Sequence, residues 1–278
     1  MEAEYRMKRT YIGKVKAVIF DWAGTVVDTG VMAPALAFRA IFEEEGIAVT
    51  DNEVREPMGM HKRTHIEKML EMPTVRRRWV EKFDREPTKD DVDRMYAKFV
   101  PKNIEALETH ADVITNVPQT VEELRDRGIK IGSCTGFVRP ILDRLMPIAA
   151  RKGFSPDVSV TADEVPAARP LPHMVWLNAI RLNVSPIEAI VKVDDTVDGI
   201  REGLAAGCWT VGVVKTGNYV GLSAAQLAVT PRQEVQRRMK RAYDIMTDCG
   251  CHYVIDSVTE LLVVIDDIER RLASGERP

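Results

Sequence analysis

The sequence predicts an α/β protein: a parallel sheet covered by helices on both faces, with an all-helical cap inserted after the first strand. Three observations carry this. Val15, Ala17, Val18, Ile19 and Phe20 form an apolar run of strand length that stops at Asp21, as a strand buried on both faces would. Residues 30–108 then carry only helical patterning. From residue 112 onward, helix-like and strand-like segments alternate, the signature of βαβ units. Alone the first strand buries nothing, so it joins that sheet and the helical block becomes an insertion. The expected division is a core of residues 14–29 plus 110–278 and a cap of residues 30–109.

Taken in order, Trp22 to Thr25 turn the chain after Asp21, and a second carboxylate follows at Asp28. Pro34 to Glu45 places Leu36, Ala37, Ala40 and Ile41 at helical spacing, with Gly46 as its stop. Thr50 and Glu53 form a capping-box pattern; Pro57 and Gly59 end that short helix. A helix from His61 to Glu71 follows. Pro73 opens another to Arg85, and Thr88 precedes a third, with Val92, Met95, Phe99 and Leu107 on one side. Arg76, Arg77 and Arg78 read as a solvated helix face. In the second half the expected helices are Pro118–Arg127, Pro140–Lys152, Pro172–Leu182, Asp198–Ala206 and Gln233–Thr247. The expected strands are Ile129–Cys134, Asp157–Val160, Ala189–Val193 and Trp209–Val214, with an edge strand His252–Ile255. Residues 215–230 read as loop plus a short turn, and Ser257 with Glu260 as a capping box opening a terminal helix.

Composition excludes several classes. The chain has 278 residues and a formal net charge of −3, so nothing in bulk electrostatics favours nucleic acid or a membrane surface. No apolar run is long enough to span a bilayer, and no signal-peptide pattern stands at the start. Residues 1–13 are polar and expected to be loose. Four sparse cysteines fit reduced thiols in a cytoplasmic protein rather than a disulfide framework. Cys249-Gly250-Cys251-His252 lacks a second ligand pair and reads as a helix-end turn, not a metal site.

Three predicted strands end in polar residues: Asp21, Thr135-Gly136 and Asp194-Asp195. Arg169 lies in a loop after a fourth. In a parallel sheet these ends share the edge where ligands bind. Two carboxylates around a phosphate-sized space call for a hard divalent cation, Mg²⁺ by default. A threonine hydroxyl and an arginine suit phosphate oxygens.

DWAGT at 21–25, SCTG at 133–136, ARP at 168–170 and DD at 194–195 resemble the four motifs of the haloacid dehalogenase superfamily. The resemblance implies its Rossmann-like core with an inserted helical cap. EPMGMHKRTH at 56–65, EVPAARPLP at 164–172 and AAGCWTVGV at 205–213 extend the likeness over most of the chain. They resemble the phosphonatases, a branch that hydrolyses the carbon–phosphorus bond of phosphonoacetaldehyde.

That resemblance implies a set of roles. Asp21 is the nucleophile toward phosphorus. Asp21, Asp195 and the Ala23 carbonyl bind Mg²⁺, and Met58, Gly59, Thr135, Gly136 and Arg169 contact substrate. Ala23 stands where related phosphatases carry an acid for an oxygen leaving group. A carbon leaving group instead needs an electron sink, which an amine supplies by condensing with the aldehyde. By its place in PMGMHK, that amine is Lys62. His65, three residues on, shares its helix face and would shuttle protons. Met58 would desolvate the amine and lower its pKa, and His61 points elsewhere. A homodimer is also implied.

Two departures from the branch pattern stand out. Gly199 replaces a carboxylate near the metal, leaving Asp194 or Asp198 to supply the charge, and Phe137 replaces a tyrosine. The alternatives are a hydrolase of another phosphonoaldehyde or of a phosphate ester, or a non-catalytic binding protein on the same fold.

Overall fold

The computed structural model describes residues 10–278; of the segment expected to be loose, residues 1–9 lie outside the described part. Strand β1 (Ala17–Phe20) is wholly buried. Five helices follow in succession: α1 (Met32–Glu44), α2 (Asp51–Arg55), α3 (Lys62–Glu71), α4 (Pro73–Phe83) and α5 (Lys89–His110). The chain then alternates through α6 (Val117–Asp126), β2 (Lys130–Thr135), α7 (Arg139–Arg151), β3 (Val158–Thr161), α8 (His173–Leu182), β4 (Ile190–Asp194), α9 (Val197–Ala206) and β5 (Trp209–Val213). It closes with α10 (Ala224–Val229), α11 (Arg232–Asp248), β6 (Tyr253–Ile255) and α12 (Leu261–Ala273).

The six strands form one sheet in the order β3-β2-β1-β4-β5-β6, and every pairing is parallel. The expected parallel α/β core is therefore present, with β1 at its centre. Because β1 lies between β2 and β4, the chain reverses its direction of winding there. A crevice opens beyond the carboxyl ends of strands at such a point, so Asp21, Thr135 and Asp194 emerge side by side. β1 is apolar at every position because helices cover both faces of a doubly wound sheet.

Local chemistry accounts for several element ends. Thr50 and Glu53 make the expected capping box at α2. Thr88 makes a second box with Asp91 at α5, whose role the sequence reading did not assign. The box expected from Ser257 and Glu260 is absent. A short 3-10 turn occupies Val258–Glu260, and the Glu260 carboxylate instead accepts from the backbone of Asp256 at 3.0 Å. Helix α1 starts two residues before the expected Pro34, because Asp28 caps it: its oxygens accept from the backbone N–H of Met32 and Ala33, each at 2.9 Å. The second carboxylate after β1 thus anchors the first helix of the insertion. Burial raises its pKa to about 7, against the pull of those bonds and Arg55.

Candidate active site

Asp21 extends β1 by one residue, its N–H donating to the Val193 carbonyl at 2.9 Å. The chain then folds back through a turn in which Val26 and Val27 donate to Trp22. Gly24 sits at φ +85°, and a Cβ there would lie 2.3 Å from Asp195 Oδ2. Only glycine allows both the left-handed backbone and that approach. The turn therefore brings the ends of β1 and β4 together: oxygens of Asp21, Asp194 and Asp195 all lie within 4.8 Å of one another, and all three residues are buried.

Arg169 is the hub of this cluster. Its Nη2 donates to Asp21 Oδ1 at 2.7 Å and faces Asp194 Oδ2 at 2.9 Å, while its Nε donates to Glu202 at 3.0 Å. Lys192, on β4, pairs with Asp194 from the other side. Four carboxyl groups (Asp21, Asp194, Asp195 and Glu202) thus crowd around Arg169 and Lys192 in a buried space. Burial, then Asp194, pushes Asp21 up to about 6. Burial, with Asp21 and Asp194 beside it, holds Asp195 well above the carboxylate range. Asp194 is held low, as Arg169 and Lys192 outweigh its burial. This donor set fits a hard divalent cation, which would relieve the crowding.

The question left by Gly199 has a geometric answer. A Cβ at position 199 would fall 2.0 Å from the Asp194 carboxylate. Asp194 fills the space that a side chain at 199 would need, and Asp198 instead faces the groove beside Arg201. Asp194 is fully engaged: Oδ1 accepts from the Thr196 N–H and hydroxyl at 3.0 and 2.7 Å.

From the insertion, the loop between α2 and α3 presses onto these strand ends. A Cβ on Gly59 would meet Thr196 Oγ1 at 2.5 Å, and one on Gly136 would meet the Met60 carbonyl at 2.6 Å. That backbone-to-backbone contact delivers Lys62. Its side chain is buried, with Nζ 5.2 Å from the centre of the Phe137 ring and 5.8 Å from that of Phe38. No hydrogen bond or ion pair to the amine is found among the described residues. Burial lowers its pKa to about 8, against the pull of Asp21.

Asp21, Ala23, Met58, Gly59, Lys62, Thr135, Gly136, Phe137 and Arg169 line one cavity of about 20 Å³. The structure thus brings together every sequence-expected site residue except two. Asp195 lies behind Asp21. His65 is wholly buried and stacks on Phe38 at 3.7 Å, outside the cavity wall. Its Nε2 bonds the Val54 carbonyl at 2.9 Å, while Nδ1 has no partner. Burial holds the ring neutral, well below its ordinary pKa. His61 caps α3, its Nδ1 accepting from the Arg63 N–H, and its ring lies 5.7 Å from that of Tyr96. Sequence reasoning missed Lys192, Glu202, Arg55 and Asn218; the first was visible only as a charge inside an apolar strand.

Such a cavity holds about one water molecule, less than the space a substrate needs. Gly136→Ala tests how closely the closed contact is needed. The added methyl meets backbone rather than a movable side chain. We expect kcat/KM on the enzyme's substrate to fall about 100-fold, and the unfolding temperature to drop by a few degrees as the contact is forced apart.

A parallel sheet with an acid at the tip of its first strand, a buried arginine hub and paired acids after the fourth defines a class. A sequence model of the haloacid dehalogenase-like hydrolases matches residues 15–207, and the chain belongs to that family. Its relatives narrow this further. It is 45% identical to the phosphonoacetaldehyde hydrolase of Nitratidesulfovibrio vulgaris over 97% of this chain and 96% of that one. It is 45% identical to that of Hahella chejuensis over 99% and 93%. The crystal structure of a phosphonoacetaldehyde hydrolase-like protein from Oleispira antarctica superposes with a TM-score of 0.96 at 37% identity, covering 99% of this chain and all of that one. Within the hydrolase class, the chain is a member of the phosphonoacetaldehyde hydrolase family.

Proposed function

We propose that this enzyme hydrolyses the carbon–phosphorus bond of phosphonoacetaldehyde to acetaldehyde and phosphate, through an imine on Lys62 and a phosphoryl group on Asp21. The observation that carries the reading is the buried, unpaired Lys62 amine in the same small cavity as Asp21, with Ala23 where an acid would stand. Two nucleophiles in one cavity suit a substrate with two electrophilic centres, an aldehyde carbon and a phosphorus. Hydrolysis of an alkyl phosphate would leave an alkoxide without its acid.

In this reading the neutral amine adds to the aldehyde and loses water to give a protonated imine. His65 is held neutral behind Phe38, so in this reading it braces α3 through the Val54 carbonyl, and the protons of imine formation pass through water. Asp21 attacks phosphorus, and the electrons of the breaking bond move onto the imine nitrogen, leaving an enamine. Protonation at carbon and hydrolysis release acetaldehyde and free Lys62. Water then cleaves the acyl phosphate. Arg169 and Thr135 hold phosphoryl oxygens, Gly59 and Gly136 permit the close approach, and Met58 and Phe137 keep the amine dry. Asp21, Asp195 and the Ala23 carbonyl would hold Mg²⁺, which offsets the repulsion between Asp21 and an anionic phosphorus centre.

Residues 30–109 act in this reading as a lid. Met58 also borders a groove of about 740 Å³ shared by the insertion and the core, where the exposed Arg201 and Arg241 stand. The expected homodimer would use the insertion, whose α1 exposes Leu36. No helix among the described residues is long and apolar enough to cross a membrane; a cytoplasmic location belongs to the same proposal.

The amine sets a pH dependence. Only its neutral form attacks, and its pKa is lowered to about 8. At pH 7 about a tenth is neutral, against about one part in 3,000 for an ordinary lysine. The rate of imine formation, read as borohydride inactivation in the presence of phosphonoacetaldehyde, is expected to rise about tenfold per pH unit below 8 and level off above it. A profile still rising steeply beyond pH 10 would show an unshifted amine.

A further inference from the structure

One arginine in the insertion ties three parts of the chain together. Arg55, at the end of α2, is buried. Its Nη1 donates to the Gly30 carbonyl at 2.7 Å, next to the hinge where the insertion leaves the core. The same nitrogen reaches the backbone carbonyl and side-chain oxygen of Asn218, each at 3.4 Å, and Nη2 donates to the Gly221 carbonyl at 3.3 Å. Gly221 lies at φ +63°, and a Cβ there would sit 2.9 Å from the guanidinium. The loop after β5 is thus shaped to admit this group. A planar fork of five donors matches such a spread of carbonyls, and a lysine ammonium does not.

Asn218 carries the connection inward. It is wholly buried, and its Nδ2 donates to the Arg55 carbonyl at 2.9 Å. Its own backbone N–H donates to Asp195 Oδ2 at 2.8 Å. One residue therefore holds the carboxylate of the acidic cluster with its backbone and the insertion with its side chain. Lys62 follows Arg55 by seven positions, across the Pro57-Met58-Gly59 segment that packs onto the strand ends.

We propose that Arg55 and Asn218 are positioning residues that couple closure of the insertion, and so delivery of Lys62, to the ordering of the Asp195 carboxylate. The proposal rests on the function given above for its catalytic consequence, but not for its structural one. Because coupling is reciprocal, a cation that orders Asp195 favours closure, and closure favours the cation. Nothing in either residue touches the reacting atoms.

The test is hydrogen exchange of backbone amides 55–62 in the full-length enzyme, with and without Mg²⁺ plus inorganic phosphate, beside steady-state kinetics. In the wild type the additions are expected to slow exchange about tenfold. In Asn218→Ala and Arg55→Lys that slowing is lost, and kcat/KM on phosphonoacetaldehyde falls at least about tenfold. Asp51→Ala removes the outer partner of Arg55 Nε, at 3.2 Å, and an exposed pairing with Arg39, and is expected to keep both. Circular dichroism and the unfolding temperature separate these effects from misfolding. Slowing that persists in Asn218→Ala, or that is absent from the wild type, overturns the coupling. A wild type that slows as expected but releases no phosphate from phosphonoacetaldehyde instead overturns the substrate assignment and leaves the latch standing.

Discussion

Lys62→Ala is expected to lose carbon–phosphorus cleavage by about 10⁵-fold or more, the scale seen when a covalent catalyst is removed from a working unit. Without the amine the leaving group is a carbanion with no electron sink, and no other residue of the cavity supplies one: Arg169 cannot form an imine and is already committed to Asp21, Asp194 and Glu202. Lys62→Arg keeps the charge beside Phe137 and is expected to be as inactive as the alanine variant, which separates nucleophilicity from electrostatics. Release of inorganic phosphate from phosphonoacetaldehyde measures both. Wild-type rates in either variant would remove the imine from the reaction.

Asp21→Asn is the second large effect, again about 10⁵-fold on phosphate release. The two losses differ in kind. Amide substitution removes the nucleophile toward phosphorus but leaves the amine in place, so imine formation is expected to continue. Borohydride in the presence of substrate should therefore still modify Asp21→Asn, and the reduced adduct should retain the phosphonate. In the wild type the bond is already broken when the reductant acts, and the adduct is an ethyl group. Loss of trapping along with turnover would mean that Asp21 is needed for the imine itself. A neutral amide in place of Asp21 also removes one of the carboxylates that favour the charged amine, so trapping is expected to be no slower at neutral pH.

The framework of this site was legible because its signals are local. An apolar strand that stops at a carboxylate, Thr135-Gly136 and Asp194-Asp195 each announce a strand end, and parallel pairing forces those ends to one edge. The helical insertion was legible for the same reason, from spacing and from Thr50 with Glu53. What was not legible depends on contacts between distant segments. Lys192 looks like an intruder in β4 until Asp194 and Glu202 are seen beside it. Arg55 looks like one charge among many on a short helix, and Asn218 like a loop residue. Asp194 and Asp198 differ by four positions and look equivalent on paper; only the absence of a side chain at Gly199 admits the Asp194 carboxylate. Ser257 failed as a cap because the Glu260 carboxylate found the Asp256 backbone first. The neutral state of His65 follows from complete burial against Phe38, which spacing alone does not reveal.

The proposed mechanism places two nucleophiles, Lys62 and Asp21, in a space that holds about one water. Peptide mass mapping after borohydride reduction of the wild-type enzyme with phosphonoacetaldehyde tests this most directly. A single modified residue, N-ethylated Lys62, with loss of activity in proportion to labelling, is the expected outcome. Full activity after the same treatment, or label spread over exposed lysines with Lys62 untouched, contradicts it.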